Sequence, residues 1–309
     1  METLDKLNIE KLNSQFQKPF LKWVGGKSQI LNTILEKFPK EMENYHEPFL
    51  GGGSVLLAVL TLKNLGIIKI NKQIYAYDIN ISLIYLYRHI KSNPDDVFKK
   101  INEFMKIYDN ITGNIINRQP KTIDEAKTSK ESYYYWLRNI FNNSDKNTIE
   151  SSALFIILNK LCYRGMFREG PNGFNVPYGH YKKTPTIITE KEITQISKLI
   201  KDVNFVSLSY SMSMKNISNG DFVYLDPPYV PENSKSFVNY VSDGFTQDNH
   251  IELFSLIKKL ENSKFVLSNS SSLIVYDNFS EYNILEIKAR RAINCKNPGS
   301  TTKELVIYN

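Results

Sequence analysis

Cysteine and histidine are scarce in this sequence, and their scarcity argues against several kinds of site. The 309 residues include only two cysteines, Cys162 and Cys295, and four histidines. The two cysteines are far apart and belong to no CxxC pair, which argues against a disulfide framework. The histidines show no ligand spacing, so we expect no metal site.

Long apolar runs are also missing. The longest, such as ALFIIL at residues 153–158, are far shorter than the ~20 residues that cross a bilayer. The first residues, METLDKLNIEK, mix both charges and have no apolar segment of the kind that a signal peptide carries. We therefore expect a soluble, intracellular protein without a membrane-spanning segment.

The composition that remains is that of an ordinary globular protein. Hydrophobic residues make up 41% of the chain and charged residues 23%, which argues against a disordered or fibrous class. The formal net charge of +7 favours a polyanionic partner only weakly, because a basic surface also serves solubility. The chain is long enough for one large domain with an insertion, or for two domains.

Alternating strand and helix patterns indicate an α/β protein. Strand, glycine-turn and helix signals alternate up to about residue 90, and the alternation resumes after residue 188. The segment between them has helical patterns but no convincing strand. We therefore expect an α/β domain in two parts, residues 1–90 and 189–309, split by a mainly helical insertion at residues 91–188.

The turn GGKS, Gly25–Ser28, is the first candidate ligand site. A phosphate loop would need glycine where Leu21 stands, so the sequence argues against a nucleotide triphosphatase. Lys27 and the nearby Trp23 could hold a carboxylate and a flat ring. The alternative is a turn in which Ser28 simply caps the next helix.

The second candidate is EPFLGGGS, Glu47–Ser54, between a predicted strand and a predicted helix. Three glycines let a ligand approach the backbone, and a helix N-terminus favours electron-rich groups. Asp78 ends the next strand, about where dinucleotide folds place a ribose-binding acid. Because GGG is not GxGxxG, a nucleoside cofactor without a pyrophosphate fits better than a nicotinamide cofactor. A plain strand–helix turn with a solvent-facing acid is the alternative.

The stretch LDPPY, Leu225–Tyr229, is the most specific chemical signal. Proline has no N–H, so Pro227 and Pro228 end the strand and leave a rigid pocket of acceptors beside the Asp226 carboxylate. Such a pocket suits the amino group of a nucleobase, which offers two protons and whose lone pair becomes free to attack as the nitrogen approaches tetrahedral geometry. Tyr229 offers a ring for stacking, and a base in a duplex must be flipped out to reach it.

Taken in order, these segments resemble one family. KWVGGK, EPFLGGGS, YAYDIN, FNVPYG and LDPPY look like motifs of the Dam-type (DpnM-like) DNA adenine-N6 methyltransferases, and FVLSNSS and ARRAIN…KELVI fit its late segments. The resemblance implies a Rossmann-like sheet that uses S-adenosylmethionine, with the insertion as a target-recognition domain. It also implies methyl transfer to adenine N6 in double-stranded DNA, with base flipping and with GATC as the common site.

The resemblance implies roles for individual residues as well. Catalysis would involve Asp226, Pro227, Pro228 and Tyr229. The cofactor would be bound by Trp23, Lys27, Glu47, Phe49, Gly51, Gly53, Asp78, Asn80 and Asp226. DNA would be bound by Arg164, Arg168, Asn175, Pro177 and Tyr181. Arg168 falls where the family carries a guanine-reading arginine, and a bidentate arginine is the commonest specific contact to guanine.

Two departures from the family pattern put GATC in doubt. Arg164 stands before a glycine where family members usually carry asparagine, and REGPNGF, Arg168–Phe174, is one residue shorter than usual. Cytosine-N4 or RNA-base methylation could use the same pocket. A DNA-binding relative without catalysis is a further alternative, although Lys27, Asp78 and LDPPY are all intact. A cognate restriction endonuclease, acting separately, would be a partner if the protein serves restriction and modification.

Overall fold

The computed structural model describes Leu4 and residues 6–231, 244–290 and 301–309. The helices in these ranges are α1 Lys6–Leu12, α2 Leu31–Leu35, α3 Ser54–Asn64, α4 Ile81–Ser92, α5 Pro94–Asp109, α6 Ile123–Ala126, α7 Lys130–Asn143, α8 Ile149–Leu161, α9 Glu190–Leu199, α10 Tyr210–Ser213, α11 Gln247–Lys258 and α12 Leu273–Phe279. Short 3-10 turns cover Lys27–Gln29, Tyr163–Gly165 and Met214–Asn216. The strands are β1 Glu41–Met42, β2 Tyr45–Glu47, β3 Lys69–Ile70, β4 Ile74–Asp78, β5 Glu169–Gly170, β6 Gly173–Phe174, β7 Val203–Ser207, β8 Phe222–Leu225, β9 Lys264–Ser270, β10 Asn283–Arg290 and β11 Thr301–Tyr308.

The central sheet of the described residues has seven strands in the order β10-β11-β9-β8-β2-β4-β7. The five strands from β9 to β7 run parallel, and β11 pairs antiparallel with both β9 and β10. This confirms the predicted α/β class with a mostly parallel sheet. The strand order reverses between β2 and β8, and open α/β sheets bind ligands at the carboxyl ends of strands beside such a reversal.

Both faces of the sheet are covered, as the alternating side chains of β8 show. Phe222 and Tyr224 belong to one apolar cluster, and Val223 and Leu225 belong to another. The first cluster includes buried residues of α3, α4 and α8, and the second includes those of α11 and α12. A strand that is buried on both faces is almost entirely apolar, which explains the composition of β8.

Residues 91–188 contain α5 to α8, which gives this segment the helical character expected of it. It also contains a small antiparallel hairpin, β5 with β6, where the sequence offered no convincing strand. Helix α8 shares the first apolar cluster with the sheet, so the core is continuous between the two. The boundaries at residues 91 and 188, and the role of this segment in target recognition, stay predictions.

Ser28 does not cap a helix, contrary to one of the two expectations for its turn. It lies inside the 3-10 turn Lys27–Gln29, and α2 begins only at Leu31. The Lys27 N–H donates to Ser54 Oγ at 3.3 Å, which fixes this turn against the start of α3. Lys27 is only 4% exposed.

Within the described ranges, none of the helices is both long enough and apolar enough to cross a membrane. Cys162 is a buried free thiol. Cys295 lies outside the described residues, as do residues 291–294 of the ARRAIN segment.

Candidate active site

Three acidic residues stand at the carboxyl ends of neighbouring strands. Glu47 ends β2, Asp78 ends β4, and Asp226 directly follows β8. Because β8, β2 and β4 are adjacent and parallel, these residues lie along one edge of the sheet, beside the reversal of strand order. Such an edge suits a ligand that carries positive charge or hydroxyl groups.

Lys27 reaches into the DPPY segment. Its ammonium lies 2.6 Å from Asp226 Oδ2. It also donates to the Gly25 carbonyl at 2.5 Å and lies 5.0 Å from the centre of the Tyr229 ring. A nitrogen donor is therefore held by the Asp226 carboxylate and against an aromatic face, which is the environment that the sequence predicted for an amine.

Several opposing effects determine the pKa of Asp226. Burial raises the pKa of Asp226, the Lys27 ammonium lowers it, and the negative charge of Glu304 raises it; the net direction is upward. The Asp226 side chain is 21% exposed. Loss of the lysine contact would make Asp226 a stronger proton acceptor.

Two residues that follow Asp226 are hydrogen-bonded to strands that come much later in the chain. The Tyr229 hydroxyl donates to Glu304 Oε2 at 2.9 Å, and the Val230 N–H donates to Asn269 Oδ1 at 3.1 Å. Glu304 lies on β11 and Asn269 on β9. Reasoning from the sequence missed both residues, because no local motif marks a partner so far along the chain.

Asp78 fixes the glycine turn. Its Oδ2 accepts the Gly51 N–H at 3.0 Å, and its Oδ1 accepts the Asn80 N–H at 2.9 Å. Asn80 in turn caps α4, since its side chain accepts the Leu83 N–H at 3.0 Å. Each carboxylate oxygen has a second lone pair, so Asp78 can still accept from a ligand hydroxyl.

The glycines at 51–53 make room for protein groups. A Cβ at Gly51 would lie 2.9 Å from Trp23 Nε1, and one at Gly53 would lie 2.5 Å from the Tyr87 hydroxyl. Both glycines also have left-handed backbones, with φ of 48° and 68°. The sequence predicted that a ligand approaches these glycines closely. In the structure, Trp23 lies against Gly51 and Tyr87 lies against Gly53.

Glu47 is a buried acid whose pKa is raised to about 8, and burial is the largest cause. The Tyr45 hydroxyl donates to Glu47 Oε2 at 2.6 Å, and this hydrogen bond lowers the pKa. The charge of nearby Asp226 contributes to the rise. A cation bound at this edge would favour ionisation of Glu47.

Two stacked pairs of aromatic rings include residues predicted to bind the cofactor. Trp23 stacks on Phe167, with ring centres 5.6 Å apart. Phe49 stacks on Tyr210 at 5.8 Å. Ile79 follows Asp78 and is 79% exposed, and the sequence analysis did not single it out.

The five predicted DNA-binding residues lie on one group of loops after α8. Arg168 Nε donates to Asn175 Oδ1 at 2.7 Å across the β5–β6 hairpin. The Tyr163 N–H donates to the Pro177 carbonyl at 2.8 Å, which joins the turn of Arg164 to this region. Tyr181 donates to the Cys162 carbonyl at 2.8 Å.

Arg164 has a left-handed backbone, with φ of 58°, and its guanidinium lies 5.3 Å from the centre of the Tyr163 ring. Asparagine tolerates this conformation far better than arginine does. The backbone conformation of Arg164 is therefore strained, and asparagine would adopt it at a lower conformational cost.

Among the described residues, no group of three or more histidine, cysteine, aspartate or glutamate side chains is arranged to hold a metal ion. The site therefore consists of acids, aromatic rings, one buried lysine and a set of exposed arginines. These groups can bind a cation, a flat ring and a phosphate-bearing polymer.

One protein-family model matches the chain over residues 23–293, and its description is D12 class N6 adenine-specific DNA methyltransferase. The matched range includes the predicted catalytic, cofactor-binding and DNA-binding residues. The similarity therefore covers most of the fold and the candidate site apart from Glu304.

Curated relatives match over nearly their full length. The Type II methyltransferase M.MjaIII of Methanocaldococcus jannaschii is 37% identical, over 94% of this chain and 99% of the relative. The Type II methyltransferase M1.LlaDCHI of Lactococcus lactis subsp. cremoris is 30% identical, over 98% and 99%. The DNA adenine methylase of Escherichia coli is 29% identical, over 93% and 92%.

Proposed function

The chain belongs to the D12 class of N6 adenine-specific DNA methyltransferases, and from this premise we propose that it methylates N6 of an adenine flipped out of duplex DNA, with S-adenosylmethionine as the donor. It is an enzyme of that family, and its activity is methyl transfer to adenine in DNA. The donor, the base flipping and the recognition site form the proposal.

The observation that best supports the proposal is the position of the Lys27 ammonium. It lies 2.6 Å from Asp226 and 5.0 Å from the centre of the Tyr229 ring. The exocyclic amine of adenine is likewise a nitrogen donor that needs an acceptor, and the ring that carries it needs a stacking surface. We propose that the amine takes the place of the ammonium and that Lys27 moves toward the cofactor.

The residues at the carboxyl edge fit the cofactor by their chemistry. Asp78 would accept from the ribose hydroxyls, and Ile79 and Phe49 would contact the adenine ring. Glu47 and Asp226 would lie near the positive sulfur. When bound, S-adenosylmethionine supplies an electrophilic methyl group on that sulfonium. Trp23 and the glycine turn would exclude water from the opposite side.

The protein's part in the transfer is positioning and proton acceptance. Asp226 accepts a hydrogen bond from the amine and favours its tetrahedral geometry, so that the lone pair points to the methyl group. The nitrogen gains a carbon bond and a positive charge while the carbon–sulfur bond breaks. One proton then leaves the nitrogen, with Asp226 or water as the acceptor. A preorganised acceptor of this kind is worth ~3 kcal/mol or more.

We propose that the loops after α8 bind DNA. Asn175 holds Nε of Arg168, so the two terminal nitrogens of the guanidinium remain oriented for a guanine edge. Arg164, Pro177 and Tyr181 would contact the adjacent backbone and bases. We keep GATC as the proposed site, and the names of the Type II relatives support a separate restriction endonuclease as a partner. The enzyme would act inside the cell.

The test is to incubate the purified protein with genomic DNA and labelled S-adenosylmethionine. The product is digested to nucleosides, and the methylated positions are mapped by sequencing. We expect label in N6-methyladenine at a single short site. Label in N4-methylcytosine, label only in RNA, or no label on any nucleic acid would contradict the proposal.

A further inference from the structure

Asn159 joins two parts of the molecule that are far apart in the sequence. It lies on α8 and is 1% exposed. Its Oδ1 accepts the Lys22 N–H at 2.9 Å, and its Nδ2 donates to the Lys22 carbonyl at 2.8 Å, across 137 residues. The same Nδ2 donates to the Gly165 carbonyl at 3.2 Å. The amide thus uses its acceptor and both of its donor hydrogens.

The two backbone segments that Asn159 holds belong to different binding regions. Lys22 directly precedes Trp23 and leads into the turn that carries Lys27. Gly165 directly follows Arg164 and begins the segment that leads to Arg168. One buried side chain therefore connects the proposed cofactor loop with the proposed DNA-binding loops.

Side-chain packing makes this connection stiff. A Cβ at Gly165 would lie only 2.4 Å from Lys22 Cβ, so the backbone at Gly165 lies directly against the Lys22 side chain. The Lys22 ammonium lies 5.2 Å from the centre of the Tyr181 ring. Trp23 stacks on Phe167 at an interplanar angle of 19°. A shift of Lys22 or Trp23 must therefore move the residues that flank Arg164 and Arg168.

We propose that Asn159 is a positioning residue that couples cofactor binding to DNA binding. A bound cofactor that restricts the motion of Trp23 and Lys27 also restricts Lys22. The hydrogen bonds of Asn159 extend this restriction to Gly165. Each ligand then binds more tightly when the other is present, by the same factor in both directions. This inference rests on the proposed function, because it takes the two loops to be the cofactor and DNA sites.

The experiment measures the dissociation constant of sinefungin, a non-reactive cofactor analogue, with and without a duplex that carries the mapped methylation site. The ratio of the two constants is the coupling factor. We expect a factor of ~5 or more in the unaltered enzyme. In Asn159→Ala we expect the factor to fall to near one, while sinefungin alone and DNA alone still bind within about threefold of the unaltered enzyme, because the Asn159 hydrogen bonds are all within the protein.

Asn142 offers a matched control. Its amide also holds one backbone segment at two points, since Nδ2 donates to the Phe174 carbonyl at 3.0 Å and Oδ1 accepts the Phe174 N–H at 2.9 Å. This clamp joins α7 to β6 and makes no hydrogen bond to Lys22. We expect Asn142→Ala to keep the coupling factor of the unaltered enzyme.

Gly165→Ala provides a second variant if Asn159→Ala does not fold. It leaves Asn159 in place and pushes Lys22 away from the turn, so it should also remove the coupling. A coupling factor that persists in the folded variants, or that disappears equally in Asn142→Ala, would overturn the inference. An unaltered enzyme that binds both ligands without coupling would overturn it too. Failure of the unaltered enzyme to bind sinefungin would instead contradict the proposed function itself.

Discussion

Tyr229 and Glu304 share a hydrogen bond of 2.9 Å that joins the DPPY motif to β11, 75 residues further along the chain. The tyrosine ring is the proposed stacking surface for the flipped base, so its orientation depends on a strand that lies between β10 and β9 in the sheet. The same glutamate raises the pKa of Asp226 by its charge. Glu304 therefore affects both the geometry and the proton affinity of the site.

Replacement of Glu304 should separate these two effects. Glu304→Gln keeps an acceptor for the Tyr229 hydroxyl, whereas Glu304→Ala leaves that hydroxyl without this partner. We expect the single-turnover methylation rate to fall about tenfold in Glu304→Ala, the cost of a lost hydrogen bond to a charged group. The rate of Glu304→Gln should stay within about threefold. Equal rates in the two variants would show that the contact does not position Tyr229.

The pH dependence of methylation should shift in opposite directions when the two charged neighbours of Asp226 are removed. Asp226 acts as a carboxylate, so activity is present above its pKa and is lost as the pH falls through it. Lys27 lowers this pKa and Glu304 raises it. In the profile of kcat/KM, which reports the free enzyme with Lys27 beside Asp226, the acidic limb should move to higher pH in Lys27→Met and to lower pH in Glu304→Gln. A shift in the same direction for both would contradict the assignment of this limb to Asp226.

Asp78 should matter to the cofactor and to the glycine turn together. Asp78→Ala removes the acceptor of the Gly51 and Asn80 N–H groups as well as the proposed ribose contact. We expect sinefungin affinity, measured by calorimetry, to weaken by about 1–3 kcal/mol, the cost of polar groups left unpaired. DNA affinity without cofactor should be nearly unchanged.

Asp202 provides the control for this change. Its carboxylate is 58% exposed and lies 3.7 Å from Lys63, so Asp202→Ala removes an acid outside the candidate site. We expect its effect on sinefungin binding to be negligible. Unaltered affinity in Asp78→Ala would make Asp78 a structural residue of the turn and nothing more.

Local motifs predicted a large part of this site because the chemistry follows the ends of strands. Asp78 and Asp226 were predicted from a strand followed by an acid, and parallel strands bring such ends to one edge. Glu304, Asn269 and Asn159 were missed, since their contacts cross 75, 39 and 137 residues of chain. Ser28 was a plausible cap by local pattern, but the bond from the Lys27 N–H to Ser54 favours a tight turn there instead.

Arg164 should carry a measurable conformational cost. Its φ of 58° is favourable for asparagine and unfavourable for residues with a longer side chain or a plain Cβ. We expect Arg164→Asn to be more stable than Arg164→Ala by ~1 kcal/mol in urea denaturation. Both variants lose the contact of the guanidinium with the Tyr163 ring. If the two have equal stability, the backbone at this position is not strained.

The most direct test of the proposed mechanism is the single-turnover methylation rate of Asp226→Asn on the mapped site. The change keeps the size of the side chain but replaces one acceptor with a donor that faces the target amine. DNA should bind nearly as before, and the rate at saturating S-adenosylmethionine should fall by at least ~100-fold, the scale of one preorganised electrostatic group. A rate close to that of the unaltered enzyme would contradict the role of Asp226 as the acceptor for adenine N6.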